Sequence, residues 1–140
     1  MELRIPADVV AAIRAHAAEA APEECAGFLI GHPEEADRVV TGSRRARNAE
    51  PTMREVRYTI DPRDTLAVER DLRGAEDRVL GFYHSHPRGP REPSDLDRRR
   101  AWPWYVYVVL ASDGPEPFAL TAWSFVGEMS PFQAMRVRIA

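Results

Sequence analysis

His84-Ser85-His86-Pro87 sets two imidazoles two residues apart, and Ser94 and Asp97 follow after a short proline-rich stretch. The run before them, Val79-Leu80-Gly81-Phe82-Tyr83, reads as a buried strand. Side chains at i and i+2 of a strand share a face, so a strand reaching His86 would aim both rings at one point. Two neutral imidazoles and one carboxylate make a tetrahedral zinc site with one position left for water, the coordination of a hydrolytic centre rather than a structural one. Such a centre also needs a carboxylate to move a proton from the water to the leaving group. Glu23 and Glu24, directly before the apolar run Cys25 to Gly31, are the candidates.

Each signal also has a plainer reading. Two histidines on a strand face can be polar decoration. Ser94-Asp95-Leu96-Asp97 has the form of a helix N-cap with an acid at the third position. Glu23 and Glu24 can be a solvated turn after a helix. The cap and ligand readings are compatible, since a cap at Ser94 would orient Asp97.

The elements that must position these residues follow from pattern. Ala7 to Ala20 is alanine-rich with Val9, Val10, Ile13 and Ala17 on one face, the spacing of an amphipathic helix. Pro22 lies just beyond its end. Cys25 to Gly31, Val39 to Arg47 and Glu55 to Ile60 read as strands. Asp61-Pro62 opens a second helix, with Asp61 as N-cap and Leu66, Val68, Leu72 and Ala75 on its apolar side, ending near Gly74. Val79 to His84 is the strand carrying the first histidine, and Ser94 to Ala101 a short third helix. Trp104 to Leu110 is the strongest β segment, followed by an Asp113-Gly114-Pro115 turn, a hairpin partner at Phe118 to Phe125 and a last strand at Met135 to Ile139. The expected fold class is a mixed α/β (α+β) layer fold in a single domain, residues 1–140.

Composition bounds the partners. A net charge of -3 argues against a nucleic-acid surface, and no apolar run is long enough to span a bilayer. The N-terminus lacks the plan of a signal peptide, and a lone cysteine, Cys25, forms no internal disulfide, which points to a reducing cytoplasm. All 19 basic residues are arginine. A GC-rich genome explains that most simply; the sharper alternative is an enzyme of lysine-linked conjugates that offers no acceptor lysine.

Taken together, the motif residues resemble the JAMM motif of the MPN+ metalloproteases. That pattern is a glutamate in the first core strand, then H-x-H-P, with seven residues (the proline included) between the second histidine and a serine, then two residues and an aspartate. Here Pro87 to Pro93 are the seven, Ser94 the serine and Asp97 the aspartate. Pro22-Glu23-Glu24-Cys25-Ala26-Gly27-Phe28-Leu29-Ile30-Gly31 is similar to the family's P-x-E-x-x-G-x-L-x-G, and aligning Gly27 and Gly31 selects Glu24 over Glu23. No motif position departs from the pattern, and the likeness covers nearly the whole chain.

The resemblance implies a mostly antiparallel central sheet flanked by helices, layered as in cytidine deaminases. It implies one zinc per chain on His84, His86 and Asp97 with water as fourth ligand, Glu24 as the proton carrier and Ser94 as an oxyanion donor. Ser85, between the histidines, receives no role. The implied reaction is hydrolysis of an amide after the Gly-Gly tail of a ubiquitin-like sulfur-carrier protein, freeing the carrier or a carried amino acid such as cysteine. A homodimer is left open.

Three other readings compete. Non-catalytic MPN scaffolds have typically lost these ligands, all of which are kept here; a general small-peptide zinc hydrolase differs only in substrate. A zinc deaminase would need H-x-E and P-C-x-x-C, which one cysteine cannot supply. Cys25 is expected to be buried and inert, His16 and His32 solvated, and Trp102, Trp104 and Trp123 in or near the core. Arg98-Arg99-Arg100 reads as an exposed helix face that could meet an acidic partner.

Overall fold

Leu3 and Ile5 alternate with Glu2 and Arg4, and the chain begins as a strand, β1 (Glu2–Ile5), that the sequence reading passed over. The computed structural model describes residues 1–125 and 132–140. After β1 come α1 (Ala7–Ala20), β2 (Ala26–Glu34), β3 (Asp37–Ala46), α2 (Pro62–Asp71), β4 (Arg78–His86), α3 (Asp95–Arg100), β5 (Val106–Ala111), β6 (Ala119–Ser124) and β7 (Gln133–Ile139).

The strands lie in the order β1-β3-β2-β4-β5-β6-β7 and close on themselves as a barrel. β2–β3, β2–β4, β5–β6 and β6–β7 are antiparallel, while β4–β5 and both partners of β1 are parallel. The mixed α/β class and helix-flanked sheet stand as expected. The closure goes further than the layered sheet foreseen, because β1 pairs with β7 across the length of the chain.

α1 lays Val9, Val10, Ile13 and Ala17 onto Leu3, Ile5, Leu29, Leu80, Val108 and Leu110, forming the larger core. Full burial of each valine or isoleucine contributes about 1.5–3 kcal/mol, which offsets the weak propensity of β-branched residues in a helix. α2 covers the other side through Val68, against Phe28 and Ala46. Its expected apolar side is narrower than the spacing suggested: Leu66 is 67% exposed, Ala75 is exposed and only Val68 is fully buried. Asp61 caps this helix as read, accepting from the Arg63 N–H at 2.9 Å.

The expected strand at Glu55 to Ile60 is corrected. That segment is turn and irregular chain, with a single isolated bridge between Asn48 and Ile60 in place of a ladder. Trp102 and Trp104 are also corrected: they are 68% and 41% exposed, and Trp104 lies outside β5 with Arg38 and Arg78 against its ring. Gly81 lets β5 approach β4 closely, since a Cβ there would run into the Val106 main chain. That contact lies in the parallel pair β4–β5, whose carboxyl ends are where open crevices form in such sheets.

Candidate active site

β4 continues through His86, so the alternation that was conditional in the sequence is realised. His84 is wholly buried and His86 nearly so, and their Nε2 atoms lie 3.1 Å apart. The loop after β4 turns at Gly89, whose φ of +75° suits a residue without a side chain. This turn brings the Pro90 carbonyl to 2.7 Å from His86 Nδ1. A carbonyl only accepts, so Nδ1 carries a proton, and Nε2 is the nitrogen that would offer its lone pair to an ion once any second proton has left. The loop is fixed outside by Arg91, which meets Asp113 at 2.8 Å.

α3 then delivers Asp97. Ser94 Oγ accepts from the Asp97 N–H at 3.0 Å, and Asp97 Oδ2 accepts from the Ser94 N–H at 2.8 Å, a complete capping box. The same Oδ2 lies 3.0 Å from His84 Nε2 and 3.3 Å from His86 Nε2. Burial alone would raise this carboxyl. The charge and hydrogen bond of His84, with the bonds from His86 and the Ser94 main chain, outweigh burial and hold it well below the usual carboxylate range.

These three atoms form a nearly equilateral triangle with edges of 3.0–3.3 Å. A tetrahedral ion with bonds of ~2.0–2.1 Å separates its ligand atoms by about 3.3 Å, so the donors present fit a small divalent metal without rearrangement. The donor set, two imidazoles and a carboxylate, is also of the right chemistry.

Glu24 enters from the junction of α1 and β2. Its carboxylate lies within 4.8 Å of one ring nitrogen of each histidine, is 5% exposed, and its Oε1 has no hydrogen-bond partner among the described residues. Burial pushes its carboxyl up to about 8; the nearby His86 works against this and Asp97 adds to it. Glu23, its neighbour, is exposed and faces Arg54 at 3.5 Å. Glu24, His86 and Ser94 line one cleft with Pro22, Val56 and Pro90, while His84 is sealed behind it. Ser94 spends an oxygen lone pair on the cap, which leaves its hydroxyl hydrogen to donate into that cleft.

His84, His86, Asp97, Glu24 and Ser94 are thus brought together, and three further residues escaped the sequence reading. Ser85 was given no role, yet its side chain accepts the Cys25 N–H at 2.8 Å and is fully buried. Tyr58 stacks on His84, with ring centres 4.5 Å apart. Asn48 bonds the Glu24 carbonyl at 3.0 Å. Proximity to motif residues could have flagged Ser85; nothing local marks the other two.

The remaining candidates sort differently. Cys25 is buried as expected, and burial pushes its thiol up to about 11, away from nucleophilic use. His16 and His32 are partly exposed, and each is also paired: His16 Nδ1 shares a 2.7 Å hydrogen bond with the Tyr83 hydroxyl, and His32 meets Asp77 at 3.0 Å. Arg100 is a tie, reaching Glu50 at 3.0 Å and the Tyr58 carbonyl at 2.8 Å. No helix among the described residues is long and apolar enough to cross a membrane.

Comparison with known proteins identifies the family. The family model described as prokaryotic homologs of the JAB domain matches residues 6–126. A desampylase of Haloferax volcanii is 38% identical over 133 residues, covering 90% of this chain and 89% of its own. A probable TtuB-protein conjugate cleaving protease of Thermus thermophilus is 34% identical over 119 residues, covering 84% and 76%. The solution structure of a Desulfitobacterium hafniense protein superposes with a TM-score of 0.85 at 25% identity, over 100% of this chain and 93% of that one. A match over most of the sequence, with a donor triangle on β4 and α3, settles the kinship: the chain belongs to the prokaryotic homologs of the JAB domain.

Proposed function

We propose that this protein is a zinc-dependent peptidase of the JAMM type that hydrolyses the amide after the C-terminal Gly-Gly tail of a ubiquitin-like, sulfur-carrier type protein. The observation that carries the reading is the Nε2–Nε2–Oδ2 triangle beside a buried carboxylate with an unpartnered oxygen, at the edge of an open cleft. His84, His86 and Asp97 would hold the ion, and zinc there would supply a Lewis acid to polarise water and carbonyl oxygen. Glu24 takes a proton from the attacking water and passes it to the leaving nitrogen. Its raised affinity for protons, caused by burial, suits both halves of that task. Ser94 donates its hydroxyl hydrogen to the carbonyl oxygen as charge gathers on it.

The substrate class rests on the relatives, one of which is named for cleaving protein conjugates, and on the cleft. Pro22, Val56 and Pro90 leave a slim passage beside His86 that a tail of glycines can enter with its backbone close to the ligands. The lone, buried Cys25 suits work in a reducing cytoplasm. The test is incubation of the zinc-loaded protein with a panel of Gly-Gly-tailed carriers, joined to a peptide amine, to a lysine side chain or to cysteine, read by mass spectrometry. Cleavage after the second glycine supports the reading. Cleavage that ignores replacement of that glycine by valine would instead make this a general small-peptide hydrolase.

A further inference from the structure

Asn48 lies just past β3, where the chain leaves the sheet for the loop 49–59 and returns at Ile60. Its side-chain nitrogen donates to the Glu24 carbonyl at 3.0 Å and to the Arg57 carbonyl at 3.1 Å. Its side-chain oxygen accepts from the Glu50 N–H at 3.1 Å and the Thr59 N–H at 3.2 Å. An amide has two donor hydrogens and two acceptor lone pairs, and all are used. With carbonyls on one side and N–H groups on the other, only one orientation of the amide satisfies its partners. Aspartate would lack both donors, and glutamine would carry its amide one methylene too far.

The Glu24 carboxylate has no such anchor among the described residues: its Oε1 finds no hydrogen-bond partner there. The position of the acid is therefore inherited from its main chain. That main chain is tied at each end, the Glu24 N–H to the Arg54 carbonyl at 2.7 Å and the Cys25 N–H to Ser85 Oγ at 2.8 Å. Between these ties stands the bond from Asn48 to the Glu24 carbonyl. The same amide gathers the two ends of the loop that carries Tyr58 onto the His84 ring and Val56 into the cleft.

We infer that Asn48 is a positioning residue for Glu24, a single saturated amide that fixes the Glu24 main chain and the 49–59 loop against the histidine pair. This rests on the reading of Glu24 as the proton carrier, and it adds what holds that carboxylate in place. A misplacement of about 1 Å in a reacting group can cost about 10²-fold in rate, so loss of the tie should appear in kcat rather than in KM or metal content.

The experiment compares wild type, Asn48→Asp, Asn48→Ser, Glu24→Gln and Glu24→Gln combined with Asn48→Asp. It reads zinc per chain, kcat and KM on a Gly-Gly-tailed carrier conjugate, and amide hydrogen exchange by mass spectrometry over residues 20–26, 49–59 and 78–86. The expected result is unchanged zinc in both Asn48 variants, with kcat reduced about 10²-fold and KM moved far less, through the loop that carries Val56. In the Glu24→Gln background the Asn48 change should add no further loss, since the acid it places is gone. Exchange should quicken over 20–26 and 49–59 and stay slow over 78–86. Losses that multiply in the double variant, or exchange unchanged over the first two segments, would overturn the proposal. Quickened exchange over 78–86 in both Asn48 variants would also overturn it, by making Asn48 a general structural residue. Absence of wild-type turnover, or normal turnover of Glu24→Gln, would instead refute the functional reading; the exchange pattern would still decide whether Asn48 holds the Glu24 segment.

Discussion

Two buried carboxylates stand beside the histidine pair, and the regions that deliver them are built differently. Asp97 arrives on the first turn of α3, and Glu24 at the irregular junction of α1 and β2. Both are almost inaccessible, at 9% and 5% exposure. Asp97 Oδ2 is surrounded by the Ser94 N–H and two imidazole nitrogens, all within 3.3 Å, whereas Glu24 Oε1 has no hydrogen-bond partner among the described residues. The first is held well below the ordinary carboxylate range and the second is pushed up to about 8. Burial acts on both in the same direction, so the partners decide the sign. A carboxylate saturated with donors stays charged and can hold a cation; one left desolvated keeps its affinity for a proton.

The largest effect should come from removing a corner of the triangle. His86→Ala should lose stoichiometric zinc and all measurable turnover together, because two protein ligands hold the ion poorly. Full zinc occupancy in that variant, by elemental analysis, would dissolve the ligand side of the comparison. Next, Glu24→Gln should lower kcat by about 10²–10⁴-fold, the usual contribution of a positioned acid or base. Steady-state kinetics in which Glu23→Gln had that effect and Glu24→Gln did not would move the proton carrier by one residue.

Ser94→Ala belongs to the Asp97 side and should show two separable losses. The missing hydroxyl should cost about 10²–10³-fold in kcat. The missing cap should cost ~1 kcal/mol of stability in denaturant titrations. A rate loss with no stability loss would mean that the cap is not needed to hold α3.

The smallest effect uses a third carboxylate as a control. Asp61 is drawn down to about 2, chiefly by the hydrogen bonds from the Arg63 side chain and main chain. A depressed carboxyl stabilises the fold above its unfolded value near 4 and loses that contribution as pH falls toward about 2. Asp61→Asn should therefore be less stable than wild type at pH 5, and the two unfolding midpoints should converge by about pH 2. A constant difference across that range would show that the cap acts through shape rather than charge.

The same contrast explains what could be read in the sequence. α1 is legible at Ala7 to Ala20 because its buried positions repeat at helical spacing in an alanine-rich run. The histidine strand, the capped turn at Ser94 and the Asp61-Pro62 helix start are likewise local patterns. Glu55 to Ile60 has the β-branched and aromatic content of a strand but bonds through Asn48 and Arg100 instead of a neighbouring strand. Tyr58 and Asn48 gain their roles from partners 24–26 residues away, against His84 and Glu24. No local period records such contacts. Barrel closure was hidden for the same reason, since β1 is four residues long and finds β7 at the far end of the chain. Leu66, placed on the apolar side by spacing, points to solvent because the sheet offers α2 room for Val68 but not for a wider stripe.

The most direct test replaces each of the two carboxylates by its isosteric amide and counts metal. Asp97→Asn and Glu24→Gln, expressed and purified side by side in zinc, would be measured for zinc per chain by elemental analysis. A ligand and a proton carrier predict opposite outcomes: zinc lost from Asp97→Asn, and zinc retained at the wild-type ratio in Glu24→Gln. Equal retention in both, or loss only from Glu24→Gln, would contradict the division of labour between the two regions.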